Sequence, residues 1–282
     1  MSDAEASAPE FVHIRLEHEA PISWIVLNRP DRANALSNEM LDEFSEALDW
    51  LRTHGEPVIA IRGEGKGFSA GYDFSQVAGE KRTHDPLADR ARLEKNLGRY
   101  LELWKHPKPV IAAVHGYCIG GASQMVTLAD ITLVADNAKI GIVTVPIGAG
   151  YTTPVLSTLI GPKRAKELSF VPGNSIDGRT AVEWGLANHV VPASELLDRT
   201  RSLAERIALT PPDLLTIKKA AINSVAESTG GHQALAQLPQ FDALAHTTTA
   251  VAELRARMGS EGRKKVIDSY RVPPTSDLSS GT

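Results

Sequence analysis

The order in which short aliphatic runs and helical patterns alternate constrains the fold of this chain more than any other feature. In the segment 37–52 the apolar residues recur every three or four positions, as in an amphipathic helix, and Ser37 is a suitable N-cap. Because strand-like runs alternate with such patterns, the sequence predicts an α/β domain. The aliphatic runs with the length of buried strands are 24–27, 58–61, 110–114 and 131–135.

This pattern changes at about residue 194, after which the sequence shows no further strand-like run. The division predicts a strand-containing core over 10–194 and a helical C-terminal region over 195–272. Residues 1–9 and 273–282 have the composition of flexible tails. The segments with helical patterns beyond residue 194 are 195–209, 212–228, 232–257 and 260–269.

Composition excludes several classes of function. The 30 basic and 34 acidic residues nearly cancel, so no basic surface for nucleic acid is expected. The single cysteine, Cys118, rules out an intramolecular disulfide and a thiolate zinc site, and its apolar neighbours predict a buried thiol. The histidines show no metal-ligand spacing, so we expect no metal. The chain shows neither a signal peptide nor an apolar run of about 18 residues, so we expect a cytoplasmic protein without membrane contact.

Two glycine-containing turns follow predicted strands. The first is GEGKGFSAGYDF at 63–74, and the second is HGYCIGGASQMVTLAD at 115–130, where Gly120 and Gly121 open a predicted helix. Glycine lets a backbone N–H approach a ligand closely, and a helix N-terminus offers free N–H groups with a positive dipole. Two facing N–H groups would form an oxyanion hole. Ordinary turns are the alternative, and neither segment carries a phosphate-loop or dinucleotide motif.

Together these segments resemble the crotonase family, the enoyl-CoA hydratase/isomerase superfamily, over about residues 11–272. The resemblance implies a crotonase-like spiral of ββα units with a helical C-terminal region that forms homotrimers or dimers of trimers. It also implies acyl-CoA thioester substrates, in which coenzyme A belongs to the substrate and is no separate cofactor. The matching segments, in order, are 28–37 (NRPDRANALS), 65–74 (GKGFSAGYDF), 108–131, 147–153 (IGAGYTT) and 175–196.

The resemblance also implies roles for individual residues. The two oxyanion N–H donors fall on Tyr72 and Gly121. Arg29, Arg32 and Lys66 are candidate partners of the CoA phosphates, with solvated surface charges as the alternative. The residues implied to lie beside the CoA arm or the acyl group are Arg32, Ala33, Ala35, Ala70 and Asp73.

The sequence departs from the family's hydratases at the two glutamates that hold and activate water. Those positions fall on Gln124 and on Thr144, or on Ile140 when the match runs back from Gly148, and the segment 138–166 contains no Asp or Glu. An amide cannot exchange a proton near neutral pH, and an unaided threonine is a poor base. We therefore expect an enzyme that stabilises a thioester enolate without the ordinary syn-hydration mechanism. Double-bond isomerisation, decarboxylation, C–C cleavage and thioester hydrolysis remain open, as does a non-catalytic acyl-CoA-binding protein.

Other residues are candidates for the missing acid or base. Asp73 follows the first donor directly, with a turn-capping role as the alternative. Tyr151 stands in the glycine-rich segment, with loop packing as the alternative. His84, Asp85 and Asp89 lie in the segment 75–98, which the resemblance places over the acyl pocket, with solvated charges as the alternative.

Overall fold

The main sheet supplies the framework on which both glycine turns are placed. The computed structural model describes residues 8–75, 85–142, 145–149, 153–228 and 231–271. Within these residues six strands form a sheet of order β1-β2-β3-β4-β6-β9, and a smaller sheet has the order β5-β7-β8. The strands are β1 (Ile14–Glu19), β2 (Ile22–Leu27), β3 (Val58–Gly63), β4 (Val110–Val114), β5 (Tyr117–Ile119), β6 (Ile131–Ala135), β7 (Lys139–Gly141), β8 (Ile176–Asp177) and β9 (His189–Val191).

Helices surround this sheet and make up nearly all of the chain beyond β9. Two short 3-10 helices, Pro30–Arg32 and Ala193–Glu195, complete the described elements. The α-helices are α1 (Asn38–Leu51), α2 (Pro86–Lys105), α3 (Gly121–Leu128), α4 (Thr153–Ile160), α5 (Pro162–Phe170), α6 (Gly178–Trp184), α7 (Leu196–Ala208), α8 (Pro212–Ser228), α9 (Gly231–His246), α10 (Thr249–Ser260) and α11 (Arg263–Asp268).

The four central strands of the main sheet, β2, β3, β4 and β6, are buried on both faces, which explains why they contain nearly continuous aliphatic runs. Only β1 runs antiparallel to its neighbour, and the other pairs are parallel. Along β4, Val110, Ala112 and Val114 enter the core beneath α1 and α2, whereas Ile111 and Ala113 enter the core beneath α7. The four predicted strands are therefore confirmed, and the α/β architecture positions the carboxyl ends of β3 and β4 beside the glycine turns.

The predicted helices are confirmed in part. Ser37 caps α1 by accepting from the Met40 N–H at 3.2 Å. The prediction of a single helix over 232–257 is wrong, because one helix ends at His246 and Thr248 caps a second helix that begins at Thr249. The segment 75–98, which showed no element in the sequence, contains most of α2, whose N-cap is Asp85. The two predicted tails fall almost entirely outside the described residues.

Helix α8 attaches to the body through polar contacts, and none of its residues is buried. The Lys219 ammonium donates to the Leu103 and Lys108 carbonyls at 3.1 and 3.2 Å and to the Asp130 carboxylate at 2.7 Å. The Asn223 amide donates to the Trp104 carbonyl. Across the described residues, no helix combines the length and the apolar character that a bilayer span requires.

A buried histidine at the end of α2 makes the stability of the fold pH-dependent. His106 is 1% exposed, and burial is the main reason that its pKa falls from 6.5 to about 4. Because the folded pKa lies below the unfolded value, the contribution is complete above pH 6.5 and is lost as the pH falls toward 4. We expect the free energy of unfolding to drop by about 3 kcal/mol in that window through this group. Urea unfolding at several pH values measures the slope, and a His106→Gln variant with an unchanged slope would contradict this assignment.

Candidate active site

The first glycine turn is held against strand β5. Ser69 pairs with the strand through two hydrogen bonds of 3.0 Å, donating its N–H to the Tyr117 carbonyl and accepting from the Ile119 N–H. The Ser69 hydroxyl donates to the Asn34 carbonyl at 2.7 Å and accepts from the Gly71 N–H at 3.1 Å. The turn therefore has a defined backbone path before it reaches Tyr72.

Asn34 organises this region, and the sequence analysis did not single it out. Its backbone adopts a left-handed conformation (φ 52°), which asparagine tolerates better than most residues, and its side chain is fully buried. The amide donates to the carbonyls of Glu64, Gly67 and Phe68 and accepts from the Arg29 N–H. The segment 28–37 is thereby attached to the first glycine turn.

Two of the alanines expected to line the CoA arm, Ala33 and Ala70, lie where the segment 28–37 contacts the first glycine turn. The Ala33 carbonyl accepts from the Ala70 N–H at 3.0 Å, and Ala70 is exposed. Ala33 and Ala35 flank the buried Asn34, and both are half-buried. Arg32 and Lys66 are exposed at the same edge, so a phosphate could reach either side chain.

The second turn ends at the amino terminus of α3. Gly120 has a φ of 58° and donates its N–H to the Gly141 carbonyl at 2.8 Å. Gly121 is the first residue of α3, so its N–H has no acceptor within the helix and lies at the positive end of the helix dipole.

The two turns meet at Gly71 and Gly121. A β-carbon on Gly71, whose φ is 86°, would lie 2.4 Å from the Ile119 carbonyl oxygen and 3.2 Å from the Gly121 nitrogen. A β-carbon on Gly121 would lie 2.7 Å from Cε2 of Tyr72. Gly71 therefore requires glycine, a β-carbon on Gly121 would require the Tyr72 ring to move, and the fold brings the proposed donor residues Tyr72 and Gly121 together.

The backbone pairing around Tyr72 indicates where its N–H points. Leu36 forms a parallel bridge with Tyr72, in which the Leu36 N–H donates to the Gly71 carbonyl and the Asp73 N–H donates to the Leu36 carbonyl. Successive N–H groups of an extended chain point in opposite directions, so the Tyr72 N–H is directed away from Leu36. The Tyr72 ring itself meets the Tyr100 ring edge-on, with centroids 6.5 Å apart.

Gln124, at the position of the first family glutamate, lies on the same face of α3 as Gly121. The side chains of helical residues lean toward the amino terminus, so Gln124 extends toward the junction of the two turns. It is 7% exposed, and its Oε1 is buried without a hydrogen-bond partner among the described residues. A buried acceptor left unpaired costs about 1–3 kcal/mol, so this oxygen suits a donor on a bound molecule or a water.

Asp73 and Arg29 are engaged with each other. Asp73 accepts from the Ser75 N–H and hydroxyl through one oxygen and from Arg29 through the other at 3.1 Å. Burial raises the pKa of Asp73, but these hydrogen bonds outweigh it and hold the pKa below its usual value. The Arg29 guanidinium also donates to the Ala35 carbonyl at 2.6 Å. This geometry favours a turn-stabilising role for Asp73 over proton transfer, and for Arg29 an internal role over phosphate binding.

The glycine-rich segment 147–153 lies beside the first turn, and its described residues are 147–149 and 153. Phe74 and Ile147 pack against one apolar cluster, whose buried residues are Val145, Leu254, Met258 and Val266. The Ala149 N–H donates to the carboxylate of Asp242, a buried residue of α9, at 2.5 Å. Sequence reasoning missed Asp242, because no local pattern indicates which loop a distant helix will contact. Thr144, Tyr151 and His84 fall outside the described residues.

Two side chains near the second turn, Cys118 and His115, have contacts that fit a structural role. Cys118 is fully buried, as predicted, and burial raises the pKa of its thiol. The Nε2 atom of His115 lies 2.9 Å from the Gly65 carbonyl, which ties the two turns together.

Comparison with known proteins agrees with this architecture. A family model described as "Enoyl-CoA hydratase/isomerase" matches residues 17–264. The chain belongs to the enoyl-CoA hydratase/isomerase family. The "Delta(3,5)-Delta(2,4)-dienoyl-CoA isomerase, mitochondrial" of Dictyostelium discoideum is 30% identical over 236 residues, covering 78% of this chain and 80% of that protein.

Solved structures of family members share the fold. An enoyl-CoA hydratase/isomerase from Xanthobacter autotrophicus Py2 superposes with a TM-score of 0.87 at 30% identity, covering 94% of this chain and 100% of that one. A structure from Novosphingobium aromaticivorans DSM 12444 with the same family description gives 0.90 at 43% identity, covering 95% and 98%. The predicted crotonase fold is thus confirmed.

Proposed function

We propose that this protein stabilises the enolate of an acyl-CoA thioester between the backbone N–H groups of Tyr72 and Gly121. The contact between the two glycine turns carries the proposal, because a β-carbon on Gly71 would meet the backbone of the second turn and one on Gly121 would meet the Tyr72 ring. An N–H at a helix terminus is already oriented before charge develops on the substrate oxygen. Such a donor contributes about 3–4 kcal/mol to transition-state stabilisation in acyl-transfer enzymes.

The chemistry around Gln124 supports isomerisation or decarboxylation over ordinary hydration. The Gln124 amide can hold a donor or a water, but it cannot pass a proton. Isomerisation and decarboxylation need fewer acid–base groups than the addition of water, and thioester hydrolysis remains the other candidate. The resemblance to a dienoyl-CoA isomerase is consistent with this choice.

The binding of coenzyme A is assigned to the edge of the first turn. Arg32, Ala33, Ala35 and Ala70 lie there, exposed or half-buried. Coenzyme A enters as part of the substrate, so no further cofactor is proposed, and a cytoplasmic location remains a prediction.

Assembly into a homotrimer or a dimer of trimers is part of the same proposal. Helix α8 carries an exposed apolar set of the kind that marks an interaction surface: Leu214, Ile217, Ile222 and Val225.

Turnover of short-chain and long-chain enoyl-CoA by purified protein tests the proposal. Chemical change of at least one acyl-CoA is expected. Tight binding of acyl-CoA without any chemical change at high enzyme concentration would instead support a non-catalytic acyl-CoA-binding protein. The absence of a glutamate at both family positions is the observation that favours this alternative. Failure to bind any acyl-CoA would contradict both functions.

Restoring both carboxylates is expected to create hydration. In the double variant Gln124→Glu with Thr144→Glu, one group could take a proton while the other gives one, so hydration of enoyl-CoA should rise by at least about 100-fold. The rate is measured from the loss of enoyl-thioester absorbance, with the single Gln124→Glu variant as control. A wild-type protein that hydrates as fast as the double variant would show that these carboxylates are not needed.

A further inference from the structure

The side chain of Tyr72, whose backbone N–H is one of the two proposed donors, lies against the residue that supplies the other donor. A β-carbon on Gly121 would lie 2.7, 2.8 and 2.9 Å from Cε2, Cζ and Cδ2 of the Tyr72 ring. The ring therefore packs on the open face of Gly121, where no side chain intervenes. An acyl group whose oxygen accepts from both N–H groups begins beside this ring, because a hydrogen bond keeps that oxygen close to both residues.

The backbone on either side of Tyr72 explains how one residue can supply both a donor and a wall. Gly71 has a φ of 86°, and the parallel bridge with Leu36 holds Tyr72 in an extended pairing. Side chains of extended residues stand roughly perpendicular to the direction of the backbone N–H groups. The N–H of Tyr72 can thus reach the thioester oxygen while its ring covers the flank of the same position.

The space behind the ring is filled by residues of α2. The Tyr72 ring meets the Tyr100 ring edge-on, with the ring planes at 76°. Leu93, Leu97 and Tyr100 recur at helical spacing and are 2%, 4% and 1% exposed. Among the described residues, packed side chains therefore close the side of the junction that faces α2. Tyr72, which is half-buried, stands at the boundary between this packed region and the two donors.

The α3 side of the junction is polar instead. Gln124 lies on the same helix face as Gly121, and its Oε1 is buried without a hydrogen-bond partner among the described residues. A hydrocarbon chain laid over this oxygen would keep it from water and leave it unpaired, which is unfavourable. An apolar acyl chain is accommodated better against the Tyr72 ring, so the ring decides how far such a chain can extend.

We propose that the Tyr72 ring sets the length of the acyl group and restricts this protein to short-chain acyl-CoA thioesters; this inference rests on the proposed function, in which the thioester oxygen lies between the two donors. A short acyl group ends against the ring. A longer chain has to push the ring into the buried side chains of α2, and a close-packed core resists such a displacement. Because the donor is a backbone N–H, the side chain can limit acyl length without altering the oxyanion hole.

Calorimetric affinities for butanoyl-CoA and octanoyl-CoA test this assignment. Wild-type protein is expected to bind octanoyl-CoA at least about 10-fold more weakly, since a pocket that is too small by one methylene already discriminates by about 10-fold to 200-fold. Tyr72→Ala keeps the N–H and removes the ring, so this preference should fall by at least about 10-fold. Where the protein transforms enoyl-CoA of the same lengths, kcat/KM should follow the same trend.

Two control variants separate the ring from other effects of substitution. Tyr72→Phe keeps the ring and should keep the wild-type preference. Tyr117→Ala removes another half-buried tyrosine ring, which packs against Gly67 at the other end of the first turn, and should also keep the wild-type preference.

The outcomes distinguish this inference from the proposed function. Equal binding of both thioesters by the wild-type protein, or a wild-type preference in Tyr72→Ala, overturns this inference alone. A wild-type protein that prefers butanoyl-CoA but transforms no acyl-CoA overturns the proposed catalysis and supports the length limit. A protein that binds neither thioester overturns both. If Tyr72→Ala lowers the urea midpoint, Tyr72→Leu decides: an intermediate preference supports the role of the ring, and a wild-type preference contradicts it.

Discussion

Replacing Gly121 by alanine is expected to lower kcat for acyl-CoA by about 100-fold to 1,000-fold, the loss that follows removal of one oxyanion-hole donor. The added β-carbon would lie 2.7 to 2.9 Å from three atoms of the Tyr72 ring. Real β-carbons do not approach other atoms so closely, so either the ring and its turn or the start of α3 must move. Because both donors belong to these two segments, a shift of either one separates the N–H groups from the thioester oxygen.

Two further variants isolate this effect. Gly98→Ala adds the same methyl group within α2 where no atom lies within 4 Å, so kcat should stay unchanged and stability should rise by about 0.5–1 kcal/mol. Adding Tyr72→Ala to Gly121→Ala removes the obstructing ring but keeps the backbone N–H, so part of the lost kcat should return. A Gly121→Ala enzyme with wild-type kcat would contradict the assignment of the donor.

Replacing Lys219 by methionine is expected to destabilise the fold by about 1–3 kcal/mol, because it removes a charged hydrogen bond from the Asp130 carboxylate, whose side chain is 21% exposed. The Lys219 side chain is 9% exposed, and its ammonium group also donates to the carbonyls of Leu103 and Lys108. Burial is the main influence on both groups, raising the pKa of Asp130 and lowering the pKa of Lys219, so each depends on the other for its charge.

Urea unfolding at fixed protein concentration measures this loss, since subunit association would otherwise shift the midpoint. Lys218→Met changes the neighbouring exposed lysine and should alter stability by no more than about 0.5 kcal/mol. The double variant Lys219→Met with Asp130→Asn removes both charges and should lose less than Lys219→Met alone. Equal stability of the two lysine variants would show that α8 is not held by this contact.

The parts of the fold that the sequence predicts are those with one dominant local cause. The strand at 110–114 is aliphatic throughout because its residues are buried on both faces of the sheet. Helix α2 was not predicted, although its buried residues Leu93, Leu97, Tyr100 and Leu103 recur every three or four positions, as in an amphipathic helix. The helix predicted over 232–257 divides at Thr248, where a capping side chain outweighs continuous helical propensity.

The residues of the candidate site also fall into two groups, those that the sequence assigned and those that only the structure reveals. Tyr72 and Gly121 were assigned by resemblance, and the structure brings their turns together, although their role as donors stays a proposal. The role of Asn34 in holding the first glycine turn could not be predicted, because the three carbonyls that accept from its amide lie about thirty residues further along the chain. Asp242 reaches the glycine-rich loop from a helix 93 residues further along the chain, a contact set by helix packing and not by any motif.

Solvent deuterium exchange tests the central claim most directly. Purified protein is incubated with saturated and unsaturated acyl-CoA in D₂O, and the acyl group is analysed by mass spectrometry and NMR. An enolate held between Tyr72 and Gly121 predicts deuterium at the carbon next to the thioester, or a displaced double bond, at a rate about 100-fold lower in Gly121→Ala. Bound acyl-CoA that shows neither exchange nor any chemical change would contradict the account.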